Sequence, residues 1–239
     1  VQKPGEKNYM KDFIQESVFF GVFISLCTYE IGLLLKKKVN FPLFNPLLIS
    51  IAATIVFLVG FDIDYATYEE GAKYLSYFLT PSTVCLAIPL HQQFEKLKKN
   101  WVAILSGILA GCLTSAICVF LFAVVFSYEH KEYVSLLPKS ITTAIGMGVS
   151  EELNGYVTIS VAVIVVTGIL GNVIAEMIYK IFHITEPIAK GVALGTSAHA
   201  MGTAKALEIG EIEGAMSGLS IAVSGVITVV LAPFFATLI

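Results

Sequence analysis

The stretch that decides the fold is GVALGTSAHAMGTAKAL, at residues 191–207. It lies between long apolar segments, yet it carries hydroxyl, imidazole and ammonium groups among small residues. A second stretch of the same character, LLPKSITTAIGMG, occupies residues 136–148. Polar groups at membrane depth are costly, so they normally face a cavity or a pathway that the protein itself lines. Both stretches are therefore predicted to be broken or re-entrant helices, the elements in which transporters place their binding sites.

The rest of the chain has the composition of an integral membrane protein. Of its 239 residues, 56% are hydrophobic and only 14% are charged, whereas a soluble domain is about one quarter charged. The charges form short clusters between apolar runs, without the alternation of a transmembrane β-barrel. The predicted fold class is an all-α integral membrane protein, a polytopic helical bundle with about seven or eight hydrophobic segments, two of them broken or re-entrant.

Segment boundaries follow from the length that crosses a bilayer, about 20 apolar residues. The predicted spans are 13–35, 45–61, 73–90, 101–127, 157–181 and 213–238, and the interrupted segments are 134–150 and 188–208. Residues 1–12 form a polar N-terminal segment. Residues 13–239 are predicted to form a single transmembrane domain.

Lysine counts in the loops predict the orientation, because cytoplasmic loops carry an excess of Lys and Arg. Loops 36–44 and 91–100 are rich in Lys and are predicted inside, whereas loops 62–73 and 208–213 are acidic and are predicted outside. The protein is thus predicted to be multi-pass with its N-terminus outside. Acidic loops flank segment 134–150 on both sides, which favours entry and return through the outer face; the alternative is a short broken helix that crosses.

Weak internal similarity links the two halves of the chain. Residues 81–88 resemble residues 138–145, and GILAG at 107–111 resembles GILG at 168–171. An inverted repeat, as found in secondary transporters, would explain the similarity. Chance similarity between apolar segments is the alternative.

All 15 cationic residues are Lys, so an anion must be held by point charges, hydroxyls and helix N-termini rather than by guanidinium forks. Pro138 is predicted to open a short helix with a positive N-terminus. The polar residues clustered at that end are Lys139, Ser140, Thr142 and Thr143. The alternative is that the Lys snorkels to the interface and the hydroxyls bond carbonyls of their own helix.

A second helix N-terminus is predicted at Pro81, where Ser82 and Thr83 supply hydroxyls but no Lys is present. Together with the Pro138 cluster it would bind an anion.

His199 is predicted to lie on one helix face with Gly202, Thr203 and Ala206. Because His titrates near neutral pH, it is a candidate for proton coupling; the alternative is a buried His with one interhelical hydrogen bond. The other polar residues predicted to join this wall of the site are Thr196, Ser197, Thr203 and Lys205. Lys205 could equally be an interfacial anchor.

Other classes of function are disfavoured. The chain has no HExxH, GxSxG, Walker A or dinucleotide signature, so it is predicted not to be an enzyme and to use no cofactor or metal. No basic stripe indicates nucleic acid. The four cysteines lack CxxC spacing and are interpreted as packing residues. GxxxG pairs at 107/111, 191/195 and 214/218 indicate close helix packing, which is compatible with a homo-oligomer.

Several runs carry a family resemblance: LPKSITT at 137–143, TGILG at 167–171, ALGTSAHAMGTA at 193–204, EGA at 213–215 and FPLFNPLL at 41–48. With them the chain resembles the LrgB/CidB/YohK family of bacterial membrane proteins. It departs from the family at 144–147, where Pro-Ile-Ala-Met is common, and at Lys205, where Arg is usual.

The resemblance implies a location in the bacterial cell (inner) membrane and two functions. One is an antiholin-like role, in which the protein acts with a small holin-like partner of the LrgA/CidA type on murein hydrolase activity and cell lysis. The other is transport of small monocarboxylates, pyruvate in bacteria and glycolate or glycerate in plastids, on an inverted-repeat transporter fold. The residues favour transport, since a passive regulator needs no Lys, hydroxyls and His gathered at helix breaks.

Overall fold

The structure is a computed structural model that describes residues 17, 19–39, 44–85 and 87–239, with their side chains except those of Leu79, Thr80 and Thr83. The described residues form helices and connecting turns, and no strand occurs among them. The predicted polar segment 1–12 lies outside them. The chain divides into two compact units, residues 1–85 and 86–239. The single transmembrane domain over 13–239 stays a prediction.

The helices follow one another in a regular order along the chain. In the first unit they are α1 (Phe20–Lys38), α2 (Pro46–Gly60), α3 (Tyr65–Ser76) and α4 (Leu79–Cys85). In the second unit they are α5 (Ala87–Gln92), α6 (Phe94–Phe126), α7 (His130–Leu136), α8 (Thr143–Glu152), α9 (Val157–Ile181), α10 (Pro187–Ile209) and α11 (Glu211–Ala236).

Hydroxyls and a glycine join α1 to α2 in the first unit. The Thr28 hydroxyl lies 3.0 Å from the Ser50 hydroxyl and 3.1 Å from that of Thr54, and all three side chains are buried. Gly32 packs directly on the backbone of Pro46, where a Cβ would have no room. Small residues and shared hydroxyls are the usual means of packing helices in an apolar medium.

The prediction of one continuous span over residues 73–90 is wrong. Within this range α3 ends at Ser76, the short helix α4 occupies Leu79–Cys85, and α5 begins at Ala87. Pro81 and Pro89 each lie in the first turn of one of these short helices. Proline is tolerated at that place because its missing N–H has no partner within the helix, but it interrupts any helix that would run through it.

Three spans of the second unit agree with the sequence. The predicted segments 101–127, 157–181 and 213–238 correspond to α6, α9 and α11, and among the described residues these three helices are long and apolar enough to cross a membrane. Helix α6 begins earlier than predicted, at Phe94, and is kinked at Asn100. Helix α2, at residues 46–60, is apolar but shorter.

The segment from Ser135 to Tyr156, which contains the turn at residues 137–142 and α8, returns to its starting point. A Cβ on Gly146 would lie 3.6 Å from the Cβ of Pro138, and the Tyr156 amide donates to the Ser135 hydroxyl at 2.6 Å. The Ser160 hydroxyl donates to the Ser135 carbonyl oxygen at 2.7 Å. The start and end of this segment are thus together, so its path agrees with entry and return on one side rather than with a crossing helix.

The predicted helix start at Pro138 is wrong. Helix α7 ends at Leu136, and Pro138 lies buried in the turn that follows, where the Ile141 amide donates to the Pro138 carbonyl at 3.3 Å. Helix α8 begins only at Thr143, with Thr142 as its N-cap in an extended conformation. Proline here ends one helix rather than opening the next, because it cannot donate to the preceding turn.

Helix α10 is bent sharply at His199, whose φ of 43° and ψ of −133° are not helical. Gly202 packs on the carbonyl oxygen of Leu194, although eight residues of continuous helix would separate them by about 12 Å. The prediction that segment 188–208 is broken is therefore confirmed. The prediction that His199, Gly202 and Thr203 share one continuous helix face is wrong, because the bend separates them.

The two arms of α10 lie side by side. On α9, the Tyr179 hydroxyl donates to the Lys190 carbonyl at 2.8 Å, and one turn earlier Glu176 Oε1 lies 2.6 Å from Lys205 Nζ. Lys190 and Lys205 are in different arms, so the arms run at the same level along α9. Arms of residues 187–198 and 200–209 are only about 18 and 15 Å long, too short to cross a hydrocarbon core of about 30 Å.

The predicted GxxxG faces are used within the chain. Gly191 packs on the Glu213 carbonyl and Gly195 on the Ser217 carbonyl, which brings α10 and α11 into backbone contact. A Cβ on Gly111 would lie 2.6 Å from the Thr196 methyl, so α6 also approaches α10 closely. These glycines therefore pack helices of one protomer, and a homo-oligomer stays a prediction.

Candidate functional site

A cavity of about 860 Å³ opens in the second unit between α6, the turn at residues 137–142 and the first arm of α10. Its size lies within the range usual for small-molecule sites, about 300–1,000 Å³. Most of its wall is small or apolar. The hydroxyl and ammonium groups that line it belong to Thr114, Ser115, Lys139, Ser140, Thr196 and Ser197.

Lys139 supplies the positive charge of the cavity. Its Nζ donates to the Ser140 hydroxyl at 2.9 Å, and the Ser140 and Ser115 oxygens are 3.2 Å apart. An ammonium group has three N–H donors, so the Ser140 contact occupies only one. Within the part of the chain that the structure describes, no carboxylate forms an ion pair with Lys139. The ammonium and the two hydroxyls can therefore accept an anionic group.

Thr196 contributes a hydroxyl without a partner. Its side chain is 6% exposed, and among the described residues its Oγ1 is the one buried side-chain polar atom that forms no hydrogen bond. Leaving such a group unsatisfied costs about 1–3 kcal/mol. Thr196 lines the cavity and also a smaller void beside it, together with Ser115 and Ser140. The arrangement of donors fits a ligand that accepts hydrogen bonds.

The other end of the cavity has the opposite character. Glu186, exposed at the N-cap of α10, lines it there, and a helix places Glu186 about 15 Å from Thr196. The cavity is therefore elongated, with a carboxylate at one end and the ammonium and hydroxyls at the other. Because of this separation, Glu186 leaves the charge of Lys139 available to a ligand.

The structure brings four of the predicted site residues to this cavity: Lys139, Ser140, Thr196 and Ser197. Of these, Ser197 is already bonded, since its hydroxyl donates to the Ala193 carbonyl at 2.7 Å. Thr142 and Thr143 begin α8 and do not line the cavity. Ser82 is exposed in the first unit, and the side chain of Thr83 lies outside the described residues.

His199 and Thr203 lie at the bend of α10 and do not line the cavity. His199 is buried, and its Nε2 lies 3.0 Å from the Ile164 carbonyl oxygen on α9. The Thr203 hydroxyl donates to the His199 carbonyl at 3.2 Å and lies 2.7 Å from the Ser217 hydroxyl on α11. Both side chains thus hold the bend against its neighbouring helices, and proton coupling by His199 stays a prediction.

Lys205 does not line the cavity either. Its Nζ lies 2.6 Å from Glu176 and 3.3 Å from Glu208, so its charge is neutralised by two carboxylates. It connects the second arm of α10 to α9. The structure supports a packing role for Lys205 rather than the predicted contact with substrate.

Sequence reasoning missed the contribution of α6. Thr114, Ser115 and Cys118 line the cavity, yet they lie within an apolar span that reads as an ordinary transmembrane helix. The sequence feature that could have indicated this wall is the pair of adjacent hydroxyl residues Thr114 and Ser115, one helical turn after Gly111. Among the described residues, no group of His, Cys, Asp and Glu side chains is arranged to bind a metal ion.

Comparison of the sequence with known protein families identifies one family. The profile of the LrgB-like family matches residues 25–238, nearly the whole chain. The chain belongs to the LrgB-like family. The matched region contains the α7–α8 turn, the bent helix α10 and every residue of the cavity.

Similar proteins of the LrgB-like family are found in Bacillus. The chain is 40% identical over 218 residues to antiholin-like protein LrgB of Bacillus cereus (strain B4264), covering 91% of this chain and 95% of that protein. Antiholin-like protein LrgB of Bacillus anthracis (strain A0248) matches with the same identity and coverage. No solved structure matches the chain. Family membership and the three long apolar helices identify a membrane protein.

Proposed function

We propose that this chain is an antiholin-like membrane protein, which restrains murein hydrolase activity and cell lysis through a small holin-like partner of the LrgA/CidA type. The support is its 40% identity, over nearly the full length of both chains, to Bacillus proteins named for that role. The comparisons favour this function over a specific transport substrate. Because the glycine faces of α6 and α10 are used inside the protomer, the partner would contact outward-facing surfaces of the apolar helices.

A lysis assay tests this role. Cells that lack their own LrgB-like protein would receive the chain, and murein hydrolase activity and the rate of lysis would be measured with and without the holin-like partner. Slower lysis that depends on the partner would support the proposal, and unchanged lysis in both strains would refute it. Lys139→Ala should restrain lysis as well as the wild type does if the role depends on helix contacts alone.

A second function, carriage of small monocarboxylates of the pyruvate or glycolate type, is favoured by the cavity. The observation that supports it is the unpaired Thr196 hydroxyl, buried beside Ser115, Ser140 and the ammonium of Lys139. Charge-assisted hydrogen bonds to a carboxylate are about twice as strong as neutral ones. A carboxylate seated there would satisfy the hydroxyl and the remaining donors of Lys139.

The proposed carrier would be a multi-pass protein of the bacterial cell membrane with its N-terminus outside, as the lysine distribution indicates. The two fold-back segments, around residues 137–142 and around His199, supply broken helices at a binding site, an arrangement found in secondary transporters. In this proposal movement of the bend at His199 would open the cavity alternately to the two sides, and His199 would carry a coupled proton when it leaves Ile164.

Pyruvate counterflow in proteoliposomes tests the carrier function. The chain would be reconstituted alone and with a holin-like partner, and Lys139→Ala would be compared with Lys131→Ala, an exposed lysine of α7 that does not line the cavity. Counterflow that Lys139→Ala abolishes and Lys131→Ala retains would support a carrier with its site at Lys139. Absence of counterflow in both preparations would leave the antiholin-like role alone.

A further inference from the structure

The hydroxyls of Ser197 and Ser220, on the helices around the cavity, behave differently from that of Thr196. A Ser or Thr in an apolar helix commonly donates to the carbonyl four residues earlier. Ser197 donates to Ala193 in this way, and Ser220 donates to Met216, each at 2.7 Å. Thr196 makes no such bond although it is 6% exposed. Something therefore keeps its side chain in a rotamer that leaves the hydroxyl available.

Gly111 on α6 accounts for that rotamer. A Cβ at position 111 would lie 2.6 Å from the Thr196 methyl but 3.4 Å from its Cβ, so the absence of a side chain at Gly111 makes the space that the methyl fills. If that space were taken, the methyl would have to move. Of the three staggered rotamers, only one turns the hydrogen of Thr196 Cβ towards residue 111, and reaching it rotates the hydroxyl by about 120°.

We propose that Gly111 is a positioning residue of the ligand site: it receives the Thr196 methyl and thereby directs the Thr196 hydroxyl to the carboxylate of a small monocarboxylate ligand. This inference rests on the proposed carrier function. Thr196, Lys139 and the Ser115–Ser140 pair then bind one carboxylate from three elements, α10, the turn at residues 137–142 and α6. Gly111 also lines the cavity, but it has no side chain to bind a ligand and acts through Thr196.

The proposal predicts rescue between positions 111 and 196. Gly111→Ala forces the hydroxyl away and weakens binding. Thr196→Ser removes the methyl but keeps a hydroxyl that can point to the cavity whether residue 111 is Gly or Ala. The double variant Gly111→Ala/Thr196→Ser should therefore bind better than Gly111→Ala alone. A methyl at position 111 that obstructed the cavity directly predicts no such rescue of binding, because Thr196→Ser leaves that methyl in place.

Cys118 offers a direct readout of binding, because it lines the same cavity. The full chain would carry Ala in place of Cys27, Cys85 and Cys112, and the rate at which N-ethylmaleimide alkylates Cys118 in proteoliposomes would be measured against pyruvate, glycolate and lactate concentration. Pyruvate counterflow would be measured on the same preparations. Gly148→Ala is the matched control, since a Cβ at that helical glycine meets nothing within 4 Å.

The expected result is protection of Cys118 by one or more of these acids in the parent and in Gly148→Ala. In Gly111→Ala the half-protecting concentration should rise about 10- to 100-fold, as for the loss of one hydrogen bond to a charged group, and the double variant should recover to the level of Thr196→Ser. Equal protection in Gly111→Ala and the parent, or no recovery in the double variant, would overturn the inference. Protection without counterflow would overturn only the carrier function, and no protection of the parent by any acid would overturn both.

Discussion

The Nε2 of His199 lies 3.0 Å from the carbonyl oxygen of Ile164, so α9 holds the imidazole at the bend of α10. A carbonyl oxygen can only accept, and Nε2 is therefore the protonated nitrogen. The backbone of His199, with φ 43° and ψ −133°, lies in a region that side chains with a Cβ rarely adopt. Strained residues of this kind persist only when their surroundings hold them, and they gather at functional sites.

The strain at position 199 predicts an inverted order of two variants. His199→Ala and His199→Gly lose the same ring and the same hydrogen bond, but only Ala keeps a Cβ in the unfavourable backbone conformation. The Gly variant should therefore be more stable than the Ala variant by about 1 kcal/mol. In an ordinary helix Gly is less stable than Ala by about that amount. Thermal unfolding in detergent, followed by circular dichroism, measures the difference; an Ala variant as stable as the Gly variant would show that the bend is unstrained.

Thr196 and Thr203 should respond oppositely to loss of the hydroxyl. In Thr196→Val the isosteric side chain removes a buried hydroxyl that has no partner, so stability should be unchanged or higher by up to about 1 kcal/mol. In Thr203→Val the Ser217 hydroxyl and the His199 carbonyl each lose a partner, which should cost about 1–3 kcal/mol. Chemical unfolding of the two variants in the same detergent compares them. A loss in Thr196→Val as large as that in Thr203→Val would mean that the Thr196 hydroxyl stabilises the fold.

The stability of Thr196→Val also bears on function. A hydroxyl that costs stability and has no partner is expected at a binding site, where the ligand completes its hydrogen bonding. Thr196→Val should therefore gain or keep stability while losing protection of Cys118 by the carboxylate. Loss of both properties together would indicate a structural defect instead.

Much of the helical order could be predicted from hydropathy alone. The long apolar runs predicted α6, α9 and α11 with bounds close to those in the structure. A helix in lipid must form all of its backbone hydrogen bonds internally and present apolar side chains to the lipid, so such a helix can be recognised from hydropathy. The polar and small composition of residues 191–207 also identified a broken helix. These features are local, so a single sequence carries them.

The path of the chain after each break could not be predicted from the sequence. Whether α10 continues past His199 or folds back depends on contacts with α9 and α11, such as Glu176 with Lys205. A proline at position 138 is compatible with either the end of one helix or the start of the next. Which of the two occurs depends on how the turn at residues 137–142 packs, and the sequence alone does not show that packing. The cavity wall on α6 was missed for the same reason, since Ser115 in an apolar helix more often bonds its own backbone.

The ion pair of Lys205 with Glu176 should contribute measurably to holding the second arm of α10. Lys205 lies 2.6 Å from Glu176 on another helix and 3.3 Å from Glu208 within its own helix. A double-mutant cycle of Lys205→Met with Glu176→Gln should give a coupling energy of about 0.5–1 kcal/mol, since both carboxylates are half-exposed and screened. The cycle with Glu208→Gln is the matched control and should give less. Equal coupling in the two cycles would show that the contact with α9 contributes no more than the exposed pair within α10.

Gly195 and Gly148 should respond oppositely to the same added methyl group. Gly195 packs on the Ser217 carbonyl, where a Cβ would require α10 and α11 to separate, whereas a Cβ at Gly148 meets nothing within 4 Å. Gly195→Ala should lower the free energy of unfolding by about 1–3 kcal/mol through overpacking. Gly148→Ala should raise it by about 0.5–1 kcal/mol, because Ala loses less backbone freedom in a helix. Unfolding of both variants in one detergent series makes the comparison, and a Gly195→Ala variant as stable as the wild type would show that the α10–α11 contact is looser than the structure has it.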